Sequence, residues 1–248
     1  MRKALLLLAV ILGLSVALAK AQGETSVDDS IVLIMNVDSQ SGDPVAYGSG
    51  FLVSEDGLVV TNSHVVYPAQ HDSKYVLVAM VGHEFFGVDI LCASKLDHDP
   101  MKNAEFRMAR DIARVQLKPW TSPNDTWSWV HGDPDLTSAF HRGDLPMFHA
   151  LTIAKSTAWG RVHEVGYGRI SAFPRLHRSE GNVTKTGDLS DGTPVFLMDM
   201  TQPSQVGDSG SPILDGKDQV VGIFTWEVLG SSNRRIAQGA SALSSCGR

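Results

Sequence analysis

The densest chemical signal in this chain is Gln205-Val206-Gly207-Asp208-Ser209-Gly210-Ser211-Pro212, a serine set among glycines and followed by apolar residues. Glycines let the backbone turn tightly and let a substrate come close to the hydroxyl. The amides of Gly207 and Ser209 can then converge on one point, where they would stabilise the oxyanion formed in acyl transfer. A serine nucleophile also needs a base. Of the nine histidines, His64 stands out because it ends the apolar run Val59-Val60-Thr61-Asn62-Ser63-His64, where a strand end would hold an imidazole rigidly. The third requirement is an acid that fixes the imidazole tautomer. Asp111, ahead of Ile112-Ala113-Arg114-Val115, fits the start of a strand, and Asp89, Asp97 and Asp99 compete with it on residue type alone.

Chain order narrows the architecture. No histidine follows Ser209, which excludes the order Ser, acid, His of α/β-hydrolases, and Gly207 to Ser211 lacks the last glycine of their nucleophile elbow. The order Asp, His, Ser of subtilisins is formally open, but the chain lacks their alternation of helix and strand. The order His64, Asp111, Ser209 is the one found on chymotrypsin-like barrels.

The elements that must position these residues read as strands. Ile31-Val32-Leu33-Ile34, Gly50 to Val53, Leu58 to Thr61 and Tyr75 to Val78 are short, β-branched runs, and Ser54-Glu55-Asp56-Gly57 supplies a hairpin signal between two of them. Further strands are expected over Phe86–Leu91, Ile112–Leu117, Trp159–Ile170, Pro194–Met198 and Val220–Trp226, and few stretches carry apolar residues at helical spacing. Pro119 to Pro146, with Trp120, Trp127 and Trp129, has the character of a connection between two halves. The expected fold class is all-β: two antiparallel six-stranded β-barrels with the site in the cleft between them. The expected organisation is a leader over 1–21, a first barrel over 22–118 carrying His64 and Asp111, a connection over 119–150 and a second barrel over 151–248 carrying Ser209.

The leader expectation rests on Arg2 and Lys3, an apolar run of about 16 residues and the small residues of Ala19-Lys20-Ala21. That run is short for a membrane span, which needs about 20 residues. Cleavage after Ala21 would leave a chain without membrane insertion, in the periplasm or outside the cell. Hydrophobic residues make up 43% of the chain and charged ones 19%, enough apolar material for a large core and too much for disorder. Lys and Arg number 21 against 27 Asp and Glu, and losing Arg2, Lys3 and Lys20 makes the remainder more acidic still. Nucleic acid is therefore not an expected partner. Cys92 and Cys246 allow either one disulfide or two separate buried thiols, and neither has a second Cys or a His at zinc-ligand spacing. No metal or cofactor is called for.

Three blocks carry a resemblance to the trypsin-like (chymotrypsin-fold) serine peptidases. Gly48-Ser49-Gly50-Phe51-Leu52-Val53 with Asp56 to His64 is similar to the bacterial HtrA and V8-like branches; Asp111-Ile112-Ala113 is similar to the acid block; Gly207 to Pro212 is similar to the serine block. Val165-Gly166-Tyr167-Gly168 also resembles the opening of the second barrel. The resemblance implies a His64, Asp111, Ser209 triad, an oxyanion hole at Gly207 and Ser209, and a protein or peptide substrate. It implies a primary pocket near Pro203 and Ser204, with Thr225, Trp226 and Glu227 on its wall strand. Pro203 brings no charge where enzymes specific for Lys or Arg carry an acid, and Glu227 stands where glycine is frequent. Ile31-Val32 resembles the terminus that activates trypsin zymogens by pairing with the acid before the serine, here Asp208, but Leu33-Ile34-Met35 stands where that motif has glycine. Ile31 is therefore expected to open a strand. The residues after Ser209 are too few for the PDZ domain of HtrA enzymes. The function expected is a secreted serine endopeptidase, with a peptide-binding protein of little turnover, or an esterase using the same triad, as the competing readings.

Overall fold

The computed structural model describes residues 26–96, 108–122, 140–156, 159–169 and 173–246. The leader, Asp97, Asp99, Trp127 and Trp129 lie outside the described residues. Twelve strands form two closed antiparallel barrels among these residues. The first contains β1 (Ile31–Asp38), β2 (Pro44–Leu52), β3 (Leu58–Thr61), β4 (Tyr75–Val81), β5 (Glu84–Ala93) and β6 (Ala113–Lys118), joined in the order β1-β2-β3-β6-β5-β4. The second contains β7 (Gly160–Gly168), β8 (Arg175–Asp188), β9 (Pro194–Met200), β10 (Pro212–Leu214), β11 (Val220–Val228) and β12 (Ser231–Gly239), in the order β10-β11-β12-β9-β8-β7.

Strand β1 shows why its sequence is apolar without interruption. Val32 and Ile34 pack inside the first barrel with Leu52, Val59 and Val115. Ile31, Leu33, Met35 and Val37 face the other way, into a core shared with Val165, Tyr167, Leu214 and Ile223 of the second barrel. Both faces are dry, so alternation disappears. The expected hairpin lies between β2 and β3, where Val53 N–H donates to the Leu58 carbonyl at 2.8 Å and Gly57 takes a positive φ of 90°. The segment 140–156 runs from one barrel to the other: Phe148 N–H donates to Glu55 in the first, and Val220 N–H in the second donates to Thr152.

The chain ends as a strap across the first barrel. Arg110 donates to the carbonyls of Ala242 and Ser245, Arg114 to that of Ser244, and Ser94 to that of Cys246. Cys92 and Cys246 form a disulfide, which settles the two readings left open above in favour of the bond.

One helix was not expected. Ser63–His71, here α1, follows β3 directly, so His64 stands in the first turn of a helix and not at the end of a strand. Its Val65-Val66 and the internal Pro68 obscure helical character, since β-branched residues and proline both disfavour a helix interior. Buried Asn36 of β1 compensates. Its Nδ2 donates to the Val65 carbonyl at 2.6 Å and its Oδ1 accepts from Ala69 N–H at 3.0 Å, so the side chain occupies the place of the helical bond between those two groups. Replacing Asn36 by Leu should lower stability by about 1–3 kcal/mol, the cost of leaving buried polar groups unpaired. Urea unfolding checks this, and an unchanged midpoint would refute the role given to Asn36.

Candidate active site

Asp111 precedes β6 and is almost wholly buried. Its Oδ2 lies 2.6 Å from His64 Nδ1, and its Oδ1 accepts from the His64 backbone N–H at 3.0 Å. One carboxylate thereby fixes both the ring and the start of the helix that carries it. With Nδ1 engaged as donor, Nε2 is left as the basic nitrogen. Asn62, ahead of the helix, donates to the Asp111 carbonyl at 2.7 Å, and Ser63 Oγ donates to that of Ile112 at 2.7 Å. Burial lowers the His64 pKa, but the charge and hydrogen bond of Asp111 together outweigh it and leave the imidazole above its ordinary value.

The second barrel buttresses this pair. Gln238 on β12 accepts from Asp111 N–H and donates to the Asp111 carbonyl, both at 3.2 Å, and donates to Thr225 Oγ1 at 3.1 Å. Thr225 also accepts from Asn62 at 3.2 Å. Its side chain is thus committed to the seam between the barrels. Thr225 is the extra residue of a bulge in β11, since Phe224 pairs with Ala237 and Trp226 with Ile236; a bulge re-aims a side chain in this way.

Ser209 lies half-exposed on the turn that leads into β10. The residue that brings this turn to the first barrel is Ser49 of β2. Its N–H donates to the Ser209 carbonyl at 2.7 Å, its Oγ donates to the Gly207 carbonyl at 2.9 Å, and the same Oγ accepts from Tyr167 N–H at 2.8 Å. Adjacent Gly48 has contacts on both sides: an added Cβ would lie 2.5 Å from Val65, next to His64, and 3.0 Å from the Ser209 carbonyl. The serine turn and the start of the histidine helix therefore share one narrow wall.

The turn's peptide groups alternate in orientation. Asp208 N–H donates to Gln205 and Gly210 N–H to Phe224, while the amides of Gly207 and Ser209 meet no protein acceptor among the described residues. Gly207 has φ 106°, and a side chain there would run into the Tyr167 carbonyl. Two free amides beside a half-exposed hydroxyl can receive an oxyanion.

The other expected residues sit nearby in different settings. Pro203 is exposed and Ser204 half-buried, with Ser204 Oγ donating to Glu227 Oε2 at 2.8 Å and Ser204 N–H to the Ser232 carbonyl at 3.0 Å. Trp226 is buried and Glu227 exposed. Asp89 points away from the site, paired with Lys118 on the barrel surface. Ile31 N–H closes a short 3₁₀ turn on Asp28, and its backbone pairs with Phe51 in β1, so Ile31 is a strand residue. Ser49, Asn62 and Gln238 were not singled out in sequence. Ser49 had a signal, a small polar residue between two glycines; Gln238, in a polar strand, had none.

A family model described as the trypsin-like peptidase domain matches residues 48–223. Among solved structures, the chain is similar to the Rv3671c protease from M. tuberculosis in its active form, with TM-score 0.56 and 17% identity over 88% of this chain and 79% of that one. It is also similar to Deg5, with TM-score 0.54 and 15% identity over 84% of this chain and 83% of that one. At such identities the likeness is one of fold. The family match, which spans well over half of the sequence and includes both His64 and Ser209, places this two-barrel chain among the trypsin-like serine peptidases.

Proposed function

We propose that this chain is a secreted serine endopeptidase acting through His64, Asp111 and Ser209. The observation that carries the reading is the Asp111–His64 pair facing, across the Gly48–Ser49 wall, a serine whose turn leaves the Gly207 and Ser209 amides free. Ser209 Oγ attacks the peptide carbonyl as His64 Nε2 takes its proton. Asp111 stabilises the resulting imidazolium and holds its orientation. The oxyanion draws hydrogen bonds from Gly207 and Ser209. His64 returns the proton to the leaving amine, and water, activated by the same imidazole, hydrolyses the acyl-enzyme. The N-terminal leader supports export.

For specificity, Pro203 contributes no charge and the Glu227 carboxylate, bridged to Ser204, disfavours acidic side chains by repulsion. The expected preference is a small or medium apolar residue before the cut, with tolerance for a basic one through Glu227. Cleavage dominated by Glu or Asp before the scissile bond in a peptide mixture would refute this.

Ser209→Ala should abolish fluorophosphonate labelling and lower peptide turnover by about 10⁴-fold or more, with His64→Ala nearly as damaging. Full turnover in a clean Ser209→Ala preparation would sink the mechanism.

Because protonated His64 cannot accept the serine proton, and its pKa is raised by Asp111, kcat/KM should fall on acidification with a midpoint above the ordinary histidine value of about 6.5. A profile that peaks near about pH 4 would contradict a histidine base.

A further inference from the structure

Beneath the serine turn lies a cluster of charged groups that the triad does not use. Asp208, between Gly207 and Ser209, has no exposure to solvent. Its Oδ2 accepts from Gln205 N–H at 2.7 Å, closing the turn on itself, and its Oδ1 lies 2.5 Å from His177 Nε2 on β8. Arg235 on β12 approaches no nearer than 3.8 Å and is itself paired with Glu164 on β7, both side chains being buried. Arg235 also donates to the Gln202 carbonyl at 2.8 Å. Three strands thus converge on one carboxylate, and His177 is its cationic partner at hydrogen-bond distance.

The approach of His177 is built into the neighbouring strand. His177 is the register partner of Gly166, and the imidazole crosses β7 where glycine leaves room. An added Cβ at Gly168 would lie 2.6 Å from His177 Nε2 and 2.6 Å from Gln205 Cβ. Asp208 contributes an atom to each of the peptide groups flanking it, so the pull on its side chain acts on the orientation of the Ser209 amide and of its neighbour. A buried carboxylate with no partner would be strongly destabilising there.

We propose that His177 is a positioning residue of the peptidase site: as an imidazolium bonded to Asp208, it holds the Gln205–Ser209 turn in the form that presents the Gly207 and Ser209 amides. The cation that shapes the turn comes from within β8, with Ile31 embedded in β1 and taking no part. This rests on the reading of Ser209 as nucleophile.

The proposal sets two histidines in opposite senses. The groups facing His177 are Asp208 from the serine turn, Glu164 from β7 and Arg235 from β12. The hydrogen bond to Asp208 raises its pKa most, burial opposes that, the charges of Asp208 and Glu164 add to it, and Arg235 subtracts. Burial also pushes Glu164 up, to about 8, against the pull of Arg235. A raised histidine keeps its proton at neutral pH and loses it as pH rises through the folded value, so the contact with Asp208 weakens on the alkaline side. His64 must be deprotonated to act and His177 protonated, which gives kcat two limbs.

The test compares the full-length wild type with His177→Gln, which keeps an N–H donor without the charge, by kcat and KM across about pH 5 to 10. The expected wild-type profile has an alkaline limb. In His177→Gln that limb should vanish and kcat at the optimum should drop about ten- to hundredfold with KM little changed, somewhat less than the loss of a whole oxyanion donor. Wild-type kcat with an unchanged alkaline limb in the variant would overturn the proposal. Should the variant not fold, the His177 resonance in ¹³C-histidine-labelled wild type decides: titration coincident with the alkaline limb supports the role, and its absence refutes it. Fluorophosphonate labelling of the wild type separates the two levels. An unlabelled Ser209 removes the peptidase reading and this proposal with it, whereas a labelled Ser209 with an unaffected His177→Gln profile removes the role of His177 alone.

Discussion

Ser49 ties the serine turn of the second barrel to a strand of the first with hydrogen bonds from its backbone N–H and its hydroxyl. The carbonyls of Gly207 and Ser209 are both spent on this one residue. Peptide planes on either side are then turned so that the amides of Gly207 and Ser209 are available to a ligand. The same strand keeps Gly48 between Val65 and the serine turn. Neither barrel alone could place the nucleophile and the base. The cleft is a chemical site because a small residue at its floor lets two backbones approach within hydrogen-bond distance.

The buried polar groups form two systems with different tasks. Around Asp111, uncharged donors and acceptors from Asn62, Thr225 and Gln238 knit the seam without adding charge beside the carboxylate that orients His64. Around Asp208, charges are met with charges, from His177, Arg235 and Glu164. Buried ion pairs of this kind are poor sources of stability, because desolvation consumes most of their attraction. Their value here is geometric, since each group can be satisfied only when three strands and the serine turn are in register.

Legibility in the sequence followed the hydrophobic pattern and the glycines. The serine turn could be read because Gly207 and Gly210 both carry positive φ, 106° and 91°, and their flanking of Ser209 is visible in one dimension. Strands with apolar faces, such as β1 and β11, were readable for the same reason. β8 and β12 were not anticipated, because their inward positions include Ser179, Arg235 and Gln238, which look like surface residues until their partners on other strands are known. The helix bearing His64 was hidden by valines and a proline whose cost is offset by Asn36, far away in sequence. The roles of Ser49 and His177 are likewise long-range, so periodicity could not have found them. His64 and Asp111 were readable as candidates, though selecting Asp111 over Asp89 needed the family's block and then the geometry.

The strap at the end of the chain bears on how such an enzyme survives its own company. Cys92 and Cys246 are 154 residues apart in sequence, and the bond between them encloses β6, the whole path between the barrels and nearly all of the second barrel in one covalent ring. A single cut by a neighbouring copy anywhere in that ring opens the loop but releases no fragment. The two barrels stay joined by the disulfide, the cut ends remain at high local concentration, and Arg110 and Arg114 keep their hold on the last turn. A cross-link at the back of the molecule thereby turns the connection between the barrels, the segment whose loss would separate His64 from Ser209, into one whose scission the fold can outlast.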